Sequence, residues 1–185
     1  MIEFPLTRPN RVALARAFAP VPRVDISIEC ALEDQMGTAY VEALPNPRVY
    51  MIQQDQFFCY LAGDLTTDTG RDFLNQLPSN RFLMAGPPGW QAAPQGLFGD
   101  RLRAVTRNSH SSETLSLDRL TELAVNSPHA GSIRRVDAAL AATETPYLSL
   151  GAFDSAEDFE QRGIGYCLVR DDQILGGCVL VAGQR

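Results

Sequence analysis

The stretch that decides the fold is Phe153-Asp-Ser-Ala-Glu-Asp-Phe-Glu-Gln-Arg-Gly-Ile-Gly-Tyr-Cys-Leu-Val-Arg-Asp-Asp-Gln-Ile-Leu-Gly-Gly-Cys-Val-Leu-Val-Ala-Gly-Gln-Arg185. Ser155, followed three positions later by Asp158, approximates a capping box and predicts the start of a short helix. We expect Phe159 to pack inward, and we expect Gly163 to end the helix through its tolerance for a left-handed backbone.

The end of the same stretch predicts a β-hairpin. Two strand-like runs, 164–170 and 173–182, flank the acidic pair Asp171-Asp172, which is short enough for a tight turn. If the fold ends with this hairpin, its last strand leaves an unpaired apolar edge along residues 174–181. Such an edge tends to pair with another chain, so the sequence predicts a possible homodimer through these residues.

Upstream of this stretch, short strand-like and helix-like segments alternate. Three strands at 39–43, 48–53 and 56–62 are joined by short turns and predict an antiparallel meander. Further strands are expected at Arg81–Ala85 and Arg101–Arg107, the second with one wet face of arginines. Helices are expected at 10–18, 67–77, 116–125 and 136–142.

Some of these segments carry expectations at single residues. Asn10 is a plausible cap for the first helix, and Thr67 or Asp68 for the second. In the third, the inner side is expected to carry Leu117, Leu120, Leu123 and Ala124.

The predicted fold class follows from this order of elements. It is α+β, with a mostly antiparallel sheet and flanking helices. Thr143-Glu-Thr-Pro146 has the composition of a linker. We therefore expect an N-terminal α/β extension domain over residues 1–145 and the beginning of a second fold over residues 146–185.

Composition limits the partners. The 185-residue chain has a net charge of −6, which argues against sequence-independent binding to nucleic acid. It has no signal peptide and no apolar run long enough to span a membrane, so we expect a cytoplasmic protein whose partners are small molecules or proteins. All of its basic residues other than histidine are arginines, so no lysine can act as a nucleophile or phosphate ligand.

Cysteine and histidine spacing does not indicate a metal site. The four cysteines form no CxxC pair and are expected to be reduced and buried: Cys30, Cys59, Cys167 and Cys178. His110 and His129 stand at no ligand spacing. Trp90 follows a Gly-Pro-Pro-Gly turn, where it could stack on a ligand, although plugging the end of a core is the stronger expectation.

Two blocks resemble a known family. The first is Leu44-Pro-Asn-Pro-Arg-Val-Tyr-Met-Ile-Gln-Gln-Asp-Gln-Phe-Phe-Cys-Tyr-Leu-Ala-Gly-Asp64, and the second runs from Phe153 through the hairpin. Together they resemble GNAT-like acetyltransferases that carry an N-terminal α/β extension before the GNAT core. The resemblance implies acetyl transfer from acetyl-CoA to an amine. It also implies a backbone-lined pyrophosphate site after the fourth strand of the core, which would lie beyond Arg185.

One short motif imitates that pyrophosphate site. Glu160-Gln-Arg-Gly-Ile-Gly165 offers Arg162, Gly163 and Gly165, but its first position is a carboxylate where a phosphate would approach. The predicted order is also reversed, because a helix precedes the glycines and a strand follows them. We therefore assign no cofactor-binding residue with confidence, and we assign no catalytic or metal-binding residue.

Two functions remain open from the sequence. The first is a GNAT-family chain that lacks its cofactor half and is not catalytic by itself. Glu157 and Asp158 are not assigned as a general base. Carboxylates in the first turn of a helix are sufficiently explained by compensation of the helix dipole. The alternative is a non-catalytic binding or dimerisation module that assembles through residues 174–181. A different kind of enzyme has no motif to support it.

Overall fold

A computed structural model describes residues 1–54, 57–106, 113, 115–150 and 153–179. Within these residues the chain forms seven α-helices and two β-sheets. It divides into two compact units, here called unit 1 (residues 1–105) and unit 2 (residues 106–183). The mixed α+β class that the sequence predicts is confirmed.

Unit 1 contains a five-stranded sheet in the order β1-β2-β3-β4-β5. Its strands are β1 (Ile2–Glu3), β2 (Thr38–Val41), β3 (Val49–Gln54), β4 (Phe58–Gly63) and β5 (Phe82–Ala85). The pairs from β1 to β4 are antiparallel, and β5 pairs parallel to β4. The predicted meander of three strands is therefore confirmed, with its strand boundaries shifted by one or two residues.

The helices of unit 1 are α1 (Arg8–Phe18), α2 (Ser27–Leu32), α3 (Asp68–Asn75) and α4 (Ala92–Phe98). Thr67 caps α3 as predicted, since its hydroxyl accepts a 3.2 Å hydrogen bond from the backbone N–H of Gly70. The predicted cap of α1 is wrong. Asn10 lies inside the first turn and its side chain donates to the Pro5 carbonyl at 2.9 Å, because the helix already begins after Thr7 with proline in its first turn.

Both faces of this sheet are covered. Alternate residues of a strand point to opposite faces, and β3 and β4 supply two separate cores in this way. Ile52 and Tyr60 join the cluster that contains α1 and α2 residues, whereas Met51 and Leu61 join the cluster of α3 and α4. Sandwiched strands of this kind appear in sequence as nearly continuous apolar runs.

The strand expected at Arg101–Arg107 does not form in the described residues. Gly99–Arg101 is a short 3₁₀ turn, and residues 102–106 have no regular structure; Arg107 lies outside the described residues. Alternating polar and apolar side chains favour a strand, but a strand also needs a neighbour to complete its hydrogen bonds. The five-stranded order includes no such partner for this segment.

Unit 2 contains a three-stranded antiparallel sheet in the order β6-β7-β8. Its elements are α5 (Leu117–Val125), β6 (Ile133–Arg135), α6 (Ala138–Ala141), α7 (Ala156–Arg162), β7 (Gly165–Arg170) and β8 (Gln173–Val179). The β7–β8 hairpin confirms the prediction. Asp171 and Asp172 form its turn, with φ of 49° and 57°, the left-handed pair that a tight hairpin turn needs.

The boundary between the units differs from the sequence expectation. The first compact unit ends at residue 105 and the second begins at residue 106, whereas the linker composition suggested a boundary between residues 145 and 146. The physical reason is that β6 pairs with β7, and the backbone N–H of Val136 donates to the Gly165 carbonyl at 2.9 Å. These bonds join the segment before residue 145 to the C-terminal hairpin.

Helix α5 forms as predicted, but the prediction that one of its sides packs inward is wrong. Its leucines are exposed, with Leu117 at 79%, Leu120 at 47% and Leu123 at 54%, and none of its residues is buried. Helical spacing predicts that an apolar face exists. It does not determine whether another part of the chain covers that face, and the described residues leave it exposed.

Gly163 ends α7 for a different reason from the one expected. Its backbone is extended, with φ −89° and ψ 165°, and is not left-handed. A Cβ here would lie 2.6 Å from the Phe159 carbonyl oxygen and 2.7 Å from its ring. Close packing therefore requires the glycine.

The cysteine expectation is correct except at one position. All four cysteines are free, and Cys30, Cys59 and Cys167 are buried, but Cys178 on β8 is exposed. The difference follows from the exposure of β8, in which no residue is buried.

Candidate functional site

The joint between α7 and β7 is where the sequence places its pyrophosphate-like motif. Ser155 caps the helix, since its hydroxyl accepts a 3.1 Å bond from the backbone N–H of Asp158. The Asp158 carboxylate in turn accepts from the backbone N–H of Asp154 at 3.2 Å. Hydrogen bonds from its own backbone N–H and from Ser155 lower the pKa of Glu157. Carboxylates therefore already occupy this helix N-terminus.

The Arg162 side chain is engaged within unit 2. Its Nε donates to the Asp158 carboxylate at 2.6 Å, and Nη2 contacts the second carboxylate oxygen. The guanidinium also lies over the Phe153 ring, 5.3 Å from its centre. Nη1 is buried and has no hydrogen-bond partner among the described residues. This arrangement holds Arg162 along its own helix, with Nε and Nη2 already bonded to a carboxylate and Nη1 buried.

Protein atoms occupy the space beside both glycines of the motif. A Cβ at Gly165 would lie 2.7 Å from the Val179 side chain and 3.0 Å from the Phe159 ring, and at Gly163 the same ring is the obstacle. A glycine loop that holds pyrophosphate keeps this space open for the ligand. Gly163 and Gly165 instead allow a helix and a strand to pack closely.

Two longer helices follow strands in unit 1, as a phosphate-binding helix would. At α3, Thr67 and the first-turn carboxylate of Asp68 occupy the N-terminus. At α1 no side chain caps the N-terminus, but Pro9 removes one of the first N–H donors. The described residues thus do not fit the pyrophosphate group of acetyl-CoA in the way that the resemblance implies.

Trp90 lies at the end of the second core of unit 1. It is half-buried against the cluster that contains Phe73 and Leu74. A Cβ at Gly86 would lie 2.5 Å from the Trp90 ring, and the Trp90 backbone N–H donates to the Pro87 carbonyl at 3.0 Å. These contacts are those of a packed core residue. A stacking role on a ligand stays a prediction.

Each unit has a cavity among its described residues. The cavity of unit 1 has about 220 Å³ and lies between α3 and α4. The cavity of unit 2 has about 410 Å³, and its lining includes Arg134, Glu144, Tyr147, Asp172 and Ile174. Positively and negatively charged side chains and an aromatic ring line this second cavity, so it could hold a small polar molecule. Neither cavity includes Trp90 or the glycine motif.

The unit 2 cavity was not found from the sequence. Its lining comes from three separated stretches, residues 134–147, 169 and 172–174, which the sheet brings together. No local spacing links these residues, so only a prediction of the strand pairing could have grouped them.

The described residues contain neither a metal-binding cluster nor a membrane-spanning helix. No group of three or more His, Cys, Asp or Glu side chains is arranged to hold a metal ion. In the same part of the chain, no helix is long and apolar enough to cross a bilayer.

Comparison with known families assigns the chain to a class. The family model for GNAT acetyltransferases matches residues 24–183, which is most of the sequence. The chain therefore belongs to the GNAT acetyltransferase family.

A solved structure supports the same fold. A GCN5-related N-acetyltransferase-like protein from Streptococcus suis 89/1591 is similar to this chain with a TM-score of 0.76 and 23% sequence identity. The similarity covers 94% of this chain and 70% of that chain. At this identity the likeness shows a shared fold. A search of curated protein sequences found no match.

Proposed function

We propose that this protein takes part in acetyl transfer from acetyl-CoA to a small-molecule amine in the cytoplasm. The observation that carries this proposal is the family match over residues 24–183. The shared fold with a GCN5-related N-acetyltransferase-like protein is consistent with it. Acetyl-CoA would supply the activated acetyl group.

We further propose that residues 1–185 by themselves are not catalytic. The support is the poor fit of the described residues to the pyrophosphate group. Arg162 is held by Asp158, and Phe159 fills the space beside Gly163. In this proposal the chain contributes the extension and the opening strands of the core, and the acetyl-CoA site is not formed from these residues.

Isothermal titration of the 185-residue chain with acetyl-CoA tests this second proposal. We expect no binding in the micromolar range, which corresponds to about −8 kcal/mol. Micromolar binding that is lost in Arg162→Gln and kept in the neighbouring Gln161→Ala would contradict it. That result would instead assign the cofactor to the α7–β7 joint.

A second candidate function is a binding or dimerisation module that assembles through residues 174–181. One observation favours it. The described part of this segment lies in β8, which has no buried residue and, among the described residues, pairs with β7 alone. Light scattering coupled to size exclusion measures the mass of the particle. A dimeric mass supports this candidate, and a monomer at all concentrations would exclude it.

A further inference from the structure

The cavity of unit 1 is not explained by the functions proposed above. It lies between α3 and α4 and has a volume of about 220 Å³. Pockets that hold drug-sized ligands measure roughly 300–1,000 Å³, so this cavity fits a smaller molecule. Six residues line it: Thr66, Arg71, Ala92, Ala93, Gly96 and Leu97.

The α4 side of the cavity is apolar. Ala93 is buried, and Leu97 packs against the core cluster that contains Phe73 and Leu74. A Cβ at Gly96 would meet no atom within 4 Å, so the space in front of this residue is open among the described residues. A ligand that lies against this wall gains most by presenting an apolar group to it.

Arg71 supplies a positive charge on the α3 side of the cavity. It takes part in none of the ion pairs that the described residues form. In this it differs from Arg23 and Arg162, whose guanidinium groups are each bonded to a carboxylate. The Arg71 guanidinium therefore keeps its donors for a ligand, and a carboxylate can accept two of them in parallel.

Thr66 limits the kind of anion that fits. Its hydroxyl donates to the Asp64 carboxylate at 2.8 Å, and its backbone N–H donates to the same oxygen at 3.2 Å. Both donors of Thr66 are therefore engaged, and a negative charge lies beside them. Arg71 is the one positive charge in the described lining. A monoanion thus fits better than a phosphate monoester, which carries close to two charges at neutral pH.

We propose that the cavity between α3 and α4 binds a small aliphatic monocarboxylate. The carboxylate pairs with the Arg71 guanidinium, and a short branched alkyl group packs against Ala93, Gly96 and Leu97. The site lies within unit 1 and does not depend on the proposed acetyl transfer. Binding of the carboxylate and binding of acetyl-CoA are separate measurements, and neither result decides the other.

NMR titration of the 185-residue chain with 3-methylbutanoate tests the site, because backbone amide shifts both follow the binding and locate it. We expect saturable shifts centred on α3 and α4 at millimolar ligand. The neutral 3-methylbutanamide has a similar shape, and we expect it to bind weaker by roughly tenfold or more, since it lacks the charge-assisted bond to Arg71. No saturable shift with 3-methylbutanoate, or shifts centred elsewhere, would overturn the proposal.

Arg71→Gln tests the charge of the site. We expect it to weaken binding of 3-methylbutanoate by roughly tenfold or more. The matched control is Arg16→Gln on α1, where an exposed arginine also takes part in no ion pair of the described residues. It should bind like the wild type. Equal loss of affinity in both variants would mean that net charge alone attracts the ligand, which contradicts a site at Arg71.

Gly96→Leu tests the apolar wall and keeps Arg71. The open space at this position gives the new side chain room inside the cavity, and leucine is favoured over glycine in a helix, so we expect the fold to be kept. Binding of 3-methylbutanoate should be lost. The control, Gln95→Leu, adds the same side chain to α4 at a residue outside the lining and should bind normally. Wild-type affinity in Gly96→Leu would exclude the cavity as the binding site.

Discussion

The sheets of unit 1 and unit 2 differ in how many of their faces are covered. In unit 1, β3 and β4 send alternate side chains into two cores. In unit 2, the neighbours Tyr166 and Cys167 point to opposite faces, and Cys167 is buried while Tyr166 is 52% exposed. Among the described residues, the sheet of unit 1 is thus covered on both faces, whereas the sheet of unit 2 has one covered face and one exposed face.

The two glycines that best represent this contrast are Gly63 and Gly176. Gly63 has φ of +89°, and a Cβ there would lie 1.9 Å from the carbonyl oxygen of Arg48, the residue just before β3. We expect Gly63→Ala to lower the free energy of unfolding by about 4 kcal/mol through backbone strain and overpacking. Gly176→Ala should leave it unchanged or raise it by up to about 0.5 kcal/mol.

Urea denaturation at low protein concentration measures both variants. A similar loss of unfolding free energy in Gly63→Ala and Gly176→Ala would mean that the outer face of the unit 2 sheet is as closely packed as the sheet of unit 1.

Helices α3 and α5 give a second contrast, because both are amphipathic but only one is packed. Leu74 on α3 is fully buried, whereas Leu120 on α5 is 47% exposed. We expect Leu74→Ala to cost about 3 kcal/mol of stability, since it leaves a cavity. Leu120→Ala should change stability by less than about 0.5 kcal/mol. Comparable denaturation midpoints for the two variants would show that α5 packs against something in solution.

The smallest expected effect concerns the pH dependence of unit 1. Burial, opposed by Arg81, raises the pKa of the Cys59 thiol from 9.0 to about 11. The unfolded chain then loses this proton first, so stability is constant below pH 9 and falls as the pH rises from 9 toward 11. The expected loss from this group is about 1.4 kcal/mol at pH 10.

Urea denaturation between pH 8 and pH 10.5 checks this slope. The control is Cys59→Ala, which should lose this part of the pH dependence while keeping contributions from other thiols and tyrosines. Because the chain has no lysine, no lysine ammonium group titrates in this pH range. Parallel curves for the two proteins would show that Cys59 does not titrate as described.

Some features set by neighbouring residues could be predicted from the sequence, although the Asn10 cap and the left-handed Gly163 were not correct. Thr67 and Ser155 cap their helices as expected, and the acidic pair at 171–172 forms the hairpin turn. Each depends on a few consecutive residues. Two features that depend on distant partners were wrong: Arg101–Arg107 has no strand to pair with among the described residues, and Leu117 is 79% exposed.

The same distinction applies to the candidate sites. The α7–β7 joint could be analysed from the sequence because charge and element order are local properties. The unit 2 cavity could not, since Arg134, Glu144 and Asp172 meet only after β6 has paired with β7. The pairing register of the strands determines which residues line the cavity, and the structural propensity of single residues does not.

The connections between paired strands also set the order in which they can form. The β7–β8 hairpin closes over two residues, whereas Ile2 of β1 must reach Val41 of β2. Closing a longer loop costs more chain entropy, and local hairpins form within microseconds. We expect β7–β8 to gain amide protection earliest in refolding and β1 to gain it late. Because β7–β8 also carries the exposed side chains of Tyr166 and Leu175, an apolar surface is held on a formed strand pair before much of the protein has folded.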